Sequence, residues 1–171
     1  MTPLRTLHPD EIRAMGSTTR WHTRRTLARQ NLLEHSGSVA LHAIFLAGSE
    51  LAPSEELALL RLALAHDAHE PVYGDIPRPA RHELAKEGID LDGICRRRFW
   101  GGRDPYLEVS DHVLDLLEVA DVLEAALWAR DNAPEIADKV MAEAAQEAHK
   151  RLVGGPLARA LEALGIWGGG L

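Results

Sequence analysis

The chain has 171 residues, enough for one domain with a single sizeable core; 46% are hydrophobic and 26% charged, an ordinary globular balance. The net charge of -7 argues against a general nucleic-acid binder, whose domains are usually basic. Cys95 is the single cysteine, which excludes an intramolecular disulfide or a Cys-rich zinc site. It points to a reducing compartment. Residues 1–20 hold no apolar run like a signal peptide, and no stretch has the apolar length of a membrane span. A cytoplasmic protein that does not engage membranes is therefore expected. The acidity is uneven: residues 20–29 carry four arginines and no acid, enough for a local basic pocket that binds a small anion.

In chain order the pattern is helix after helix. Pro9-Asp10-Glu11 opens a short helix with acids at its positive end. Residues 31–47 are apolar-periodic and stop at Gly48. Pro53-Ser54-Glu55-Glu56 is a start signal, with Ser54 as the expected cap, for a helix running to His66 or as far as Glu70. Residues 71–79 hold three prolines and a glycine, which exclude a continuous helix and predict an ordered turn region. A second irregular stretch is expected over residues 99–105. Residues 111–130 predict a strong amphipathic helix, with Val113, Leu116, Leu117, Ala120, Leu123 and Leu127 along one side. Another helix should start at Pro134 and reach about Leu152. Gly154-Gly155-Pro156 breaks it, a short helix to Leu164 follows, and the glycines at 168–170 form a frayed tail. There is no internal repeat, no domain linker and no alternating strand pattern. The fold class expected is all-α, one compact bundle of about five to seven helices spanning residues 1–171.

The chemistry centres on His66-Asp67. Adjacent imidazole and carboxylate near a helix end can reach one cation, and together they suit a borderline divalent metal. Two ligands hold a metal weakly, so others must come from elsewhere. His35 and Asp121, each in an otherwise apolar helix where a polar group needs a partner, are the candidates. Singly, each is more often a satisfied core residue. The order His, His-Asp, Asp across three helices is much more specific, because a bundle core can gather all four side chains at one site. There is no nucleophile elbow around a serine and no Walker-type phosphate loop.

That order resembles the HD-domain deoxynucleotide phosphohydrolases. The segments Arg20-Trp21, Glu34-His35-Ser36, His66-Asp67-Ala68-His69-Glu70, Gly74-Asp75-Ile76-Pro77 and Ala120-Asp121 are similar to the bacterial HD 5'-deoxynucleotidases. They are equally similar to phage dATP triphosphohydrolases found with 2-aminoadenine genomes. The 55 residues between His66 and Asp121, and the short chain after the last helix, look more like the compact phage enzymes.

The resemblance implies an HD fold and a divalent metal such as Co, Zn or Mn held by His35, His66, Asp67 and Asp121, with a second Mg-like ion accompanying a triphosphate. Asp67 and Glu70 are implied as the catalytic groups, Glu70 as the acid/base on one helical face with His66. Arg20 is implied as the phosphate clamp and Arg81 as a further basic contact. Trp21 would exclude a 2'-hydroxyl. Asp75 would bond the sugar, orient Arg20 or cap the turn at Gly74. Thr23 would sit at the base pocket, where its small polar side chain departs from the adenine-selective pattern. Arg24 and Arg25 read as surface residues, and His42, His69, His82, His112 and His149 as structural or surface ones. The reaction implied first is hydrolysis of a purine deoxynucleoside triphosphate to nucleoside and triphosphate. The alternatives are a 5'-deoxynucleotidase acting on monophosphates and a non-catalytic nucleotide-binding sensor. A homo-oligomer, from dimer to hexamer, is expected, with Trp100, Trp128 and Trp167 as interface anchors.

Overall fold

The computed structural model describes residues 6–151; the expected helix to Leu164, the glycine tail and Trp167 lie outside them. The described elements are α1 (Pro9–Ser17), α2 (Leu32–Ala47), α3 (Pro53–Ala65), the single-turn α4 (Glu70–Tyr73), α5 (Arg78–Lys86), α6 (Leu91–Phe99), a 3-10 turn (Pro105–Glu108), α7 (Asp111–Asn132) and α8 (Ala137–Arg151). Seven of these helices exceed one turn, and among the described residues the β-structure is one isolated bridge, Thr19 to Asn31. The all-α expectation is met.

The helix starts follow from their caps. Asn31 Oδ1 accepts from the N–H groups of Leu33 and Glu34, both at 3.0 Å, while Glu34 accepts from the Asn31 N–H at 3.1 Å. This reciprocal capping box satisfies donors that α2 would otherwise leave open. Gly48, at φ 56, ends α2 in a conformation that glycine adopts without strain. The start of α3 differs from expectation: Ala52, not Ser54, occupies the cap position. Pro53, with its φ preset for a first helical residue, begins the helix one residue before Ser54.

Helix α3 also stops at Ala65, short of Glu70. Pro71 has no N–H to give the Asp67 carbonyl, so an α-helix cannot run through. Residues 66–69 form turns instead, and Glu70 donates its N–H to the Asp67 carbonyl at 3.0 Å. His66 and Glu70 thus reach the site from a turn and a new helix, not from one helical face. Prolines do not empty residues 71–79 of helix either: Pro71 and Pro79 sit in the first turns of α4 and α5, where the missing N–H costs nothing.

The core lies where α2, α3, α7 and α8 meet. It is built on Val39, Ala43, Leu59, Leu62, Val113, Leu116, Ala120 and Leu123, all nearly inaccessible to solvent. The predicted stripe of α7 accounts for half of these; its Leu127 packs at the edge. Trp100 is also buried, with Met15, Leu32 and Ala68, so it is a core residue and not an interface anchor. The segment between α1 and α2 folds back on itself through Arg20 N–H to the Gln30 carbonyl (2.9 Å) and Leu32 N–H to the Thr18 carbonyl (3.1 Å). That return sets Arg20 and Trp21 beside Gln30, against α7.

Candidate active site

Four polar side chains meet in the apolar bundle: His35 from α2, His66 and Asp67 from the turn after α3, and Asp121 from α7. His35 Nε2 lies 3.1 Å from His66 Nε2, 3.1 Å from Asp121 Oδ1 and 3.5 Å from Asp67 Oδ2. His66 Nε2 lies 3.1 Å from Asp67 Oδ2 and 4.0 Å from Asp121 Oδ1. His35 is fully buried, and the other three are largely so.

The tautomers are dictated by what the far nitrogens touch. His66 Nδ1 is 2.8 Å from the Ala63 carbonyl and His35 Nδ1 is 2.5 Å from a Glu124 carboxylate oxygen. Both contacts are with acceptors, so each Nδ1 carries a proton and donates. The two Nε2 atoms are then turned toward each other across 3.1 Å in a dry setting beside the two carboxylates, an arrangement that needs a cation, a proton or a metal ion, among them. The donor set of two imidazoles and two carboxylates is one that first-row divalent ions accept. His35, His66 and Asp121 can hold a metal, and their ligand atoms all lie within 4.8 Å of one another.

Electrostatics agree. Burial opposes charge on His66, but Asp67 and Asp121 overcome it and raise its pKa to about 9. Burial also opposes ionisation of Asp67, yet His66, His35 and Arg20 hold its carboxyl well below the usual range. Asp121 is lowered in the same way, by the His35 hydrogen bond and the surrounding cationic groups. The pocket is thus negative and takes up a positive charge, here a proton on His66.

Glu70 behaves oppositely. Burial, then the nearby Asp67 and Asp75, push its carboxyl up to about 10, so it holds a proton at neutral pH. Its Oε2 is buried without a hydrogen-bond partner, as is Nη1 of Arg20, which stands 3.6 Å from Glu124. Two orphaned polar atoms beside a metal-type cluster mark where a substrate or water fits.

Asp121 also opens onto a cavity of about 670 Å³, a size suited to a small organic ligand. Arg20, Trp21, Thr23, Asp75 and Arg81, the expected substrate contacts, all line it. Arg24 and His82 line it too, although the sequence placed them among surface or structural residues. Trp21 has φ 61, an uncommon conformation for a residue with a side chain, and its ring stacks on Trp128 at 5.3 Å between centroids. Trp128 therefore partners a cavity residue, a role the sequence did not suggest. Asp75 reaches His22 at 3.4 Å, and Arg81 is held by Asp92 at 2.9 Å. His69 is buried at the start of α4, and burial lowers its pKa, so it stays neutral beside the cluster.

Among the residues that the sequence did not reveal is Glu124. It is 4% exposed, lies three residues after Asp121 on α7, and orients His35. The signal was present: an acid one turn from Asp121, flanked by apolar residues, falls on the buried face.

The fold and the buried cluster define the class, an all-α helical bundle whose core holds a site of the kind that takes a divalent metal. Residues 10–87 match the family model described as 5'-deoxynucleotidase YfbR-like. The chain is 37% identical over 89 residues to a 5'-deoxynucleotidase of Vibrio cholerae, an alignment covering 46% of this chain and 44% of that protein. It is 40% identical over 89 residues, with the same coverage, to a 5'-deoxynucleotidase of Vibrio parahaemolyticus. The match thus spans less than half the length of either relative. Among solved structures, the HD phosphohydrolase DatZ of cyanophage S-2L, bound to dA and one catalytic Zn2+ ion, superposes with a TM-score of 0.73 at 21% identity, covering 88% of this chain and 90% of DatZ. The likeness to HD-domain deoxynucleotide phosphohydrolases read from the motifs stands. No helix among the described residues is long and apolar enough to cross a membrane.

Proposed function

We propose that this chain, working as one HD domain, is a metal-dependent 5'-deoxynucleotidase that converts a deoxynucleoside 5'-monophosphate to deoxynucleoside and phosphate. The observation that carries the reading is the pair of imidazole Nε2 atoms 3.1 Å apart, set among the carboxylates of Asp67 and Asp121. The family model matched by residues 10–87 supports the choice of substrate.

The spacing of the motifs put a triphosphate first; the charge in the cavity supports a monophosphate instead. Five Arg or Lys side chains and five carboxylates line it. Lys86 is paired with Glu83 at 2.8 Å and Lys139 with Glu143 at 3.8 Å. Such a balanced wall suits one phosphate at the metal site better than a chain of three. The structural neighbour DatZ, solved with dA and one catalytic Zn2+ ion, supports a deoxynucleoside in the site under either reading.

His35, His66, Asp67 and Asp121 are the ligands in this reading. A divalent ion held there supplies Lewis acidity at the phosphoryl oxygen and lowers the pKa of water. Arg20, whose buried Nη1 has an ion-pair contact to Glu124 but no hydrogen bond, clamps the phosphate, and Arg81, steadied by Asp92, adds a second cation. The Trp21 ring lies against the sugar where a 2'-hydroxyl would clash. Asp75 accepts from a sugar hydroxyl, and Thr23 sits toward the base. A water oxygen attacks phosphorus as the bond from phosphorus to the 5'-oxygen breaks, Glu70 hands its proton to that leaving oxygen, and a proton from the attacking water then restores Glu70, leaving hydrogen phosphate.

Homo-oligomerisation belongs to the same proposal. Leu41 and Phe45, one turn apart on α2, are 69% and 56% exposed, an apolar stripe that a second copy can cover. Light scattering should show Leu41→Glu/Phe45→Glu as a monomer; an unchanged mass would remove this part of the reading.

The enzymatic part is tested by phosphate release from each deoxynucleoside and ribonucleoside monophosphate, with metal-depleted and Co2+-reloaded protein. Metal-restored release from the deoxy series alone is expected. Equal release from both series would refute the role given to Trp21.

A further inference from the structure

Trp21 and His35 are joined by a chain of hydrogen bonds that neither the motifs nor the comparisons identify. Trp21 Nε1 is 3.1 Å from Gln30 Oε1; Gln30 Nε2 is 2.6 Å from Glu124 Oε1; Glu124 Oε2 is 2.5 Å from His35 Nδ1. The direction of each bond is forced. An indole N–H can only donate, so Gln30 presents its carbonyl to Trp21 and its amide N–H to Glu124. Glu124 then accepts from both ends, which a carboxylate does and an amide cannot. His35 thus donates from Nδ1 to Glu124, which leaves Nε2 turned to the carboxylates of the cluster. Gln30 is 3% and Glu124 4% exposed, so neither contact is exchanged for water at low cost.

We propose that Glu124 is a positioning residue that fixes His35 for the metal, and that Gln30 extends this hold to Trp21, coupling metal geometry to nucleotide binding. The proposal rests on the metal-site reading above. Carboxylates behind metal-bound imidazoles set ring orientation and basicity. Here the same carboxylate also anchors the segment carrying Arg20 and Trp21, since Arg20 Nη1 stands 3.6 Å from it. A shift of the indole as it meets a sugar is felt at Gln30, and through Glu124 at the ring that holds the ion.

Two variants, Glu124→Gln and Gln30→Leu, separate the halves of the chain. Co2+ binding to metal-depleted protein is measured by calorimetry and by its visible spectrum, with kcat and KM for a deoxynucleoside monophosphate in parallel. E124Q should bind Co2+ about 10–100-fold more weakly and lose kcat. Q30L should keep Co2+ affinity close to wild type while KM rises about tenfold, the loss expected for one buried hydrogen bond. A merely structural role would lower the melting temperature without dividing these readouts between the variants. Wild-type Co2+ affinity in folded E124Q, or an unchanged KM in Q30L, would overturn the proposal. If E124Q fails to fold, Q30L decides alone by the same criteria. Failure of the unaltered protein to bind Co2+ would overturn the metal reading and this coupling together, an outcome distinct from failure of the coupling alone.

Discussion

Replacing Glu70 by Gln should make the metal-depleted protein more stable at neutral pH. Glu70 is 6% exposed, and burial together with Asp67 and Asp75 raises its carboxyl to about 10 from 4.5. In the unfolded chain the group ionises above its ordinary pKa, while in the fold it stays protonated. The unfolded state therefore binds fewer protons, and stability falls as pH rises from about 4.5 toward 10. At pH 7 the interval covered is 2.5 units above 4.5, which corresponds to about 3 kcal/mol at ~1.4 kcal/mol per unit. For a chain of this length that is roughly 6–12 °C in melting temperature. Gln has nearly the same shape and does not ionise, so the variant escapes this loss. Urea or thermal unfolding of chelator-treated protein at pH 5, 7 and 9 measures it. The gap between Glu70→Gln and wild type should be small at pH 5 and widen by pH 9. A gap that is absent, or that does not widen, would refute the account of Glu70 as a buried acid held neutral. The same variant should keep nucleotide binding while losing turnover, which also separates an enzyme from a sensor.

Further predictions address the ligands, the clamp and the core. His35→Ala, His66→Ala and Asp121→Ala should each cost Co2+ affinity about 100-fold or more in calorimetry; wild-type affinity in any one would remove that residue from the set. Arg20→Ala should raise KM for a deoxynucleoside monophosphate by about 10-fold or more, the worth of one charge-assisted hydrogen bond, in steady-state assays. Leu59→Ala, at a fully buried position on α3 away from the cavity, should lose about 2–5 kcal/mol in urea unfolding, and a loss below this range would mean a looser core than described.

The parts of the fold most legible in the sequence are those where local physics and packing agree. Asn31 with Glu34 marks the start of α2, Gly48 its end, and the α7 stripe names its own buried face. Where two local signals compete, the stiffer one wins: Pro53 overrides Ser54 at the start of α3, and Pro71 ends the reach of that helix before Glu70. Helices α5 and α6 were not read individually, because charged residues blur their apolar period. At the site, the order of His35, His66-Asp67 and Asp121 was visible because those residue types are unusual in apolar helices. Gln30 and Glu124 were not, because their importance comes from contacts between distant segments, 94 residues apart along the chain. The stacking of Trp128 on Trp21 was hidden for the same reason: it depends on how the segment before α2 returns to α7.

The most direct test of the central claim is chromatographic product analysis of Co2+-loaded protein incubated in parallel with each deoxynucleoside monophosphate and triphosphate. The account predicts deoxynucleoside and phosphate from the monophosphates, abolished by chelation and restored by added Co2+, with little product from the triphosphates. Deoxynucleoside released directly from a triphosphate, with the monophosphates untouched, would contradict it and restore the triphosphohydrolase reading at the same metal site.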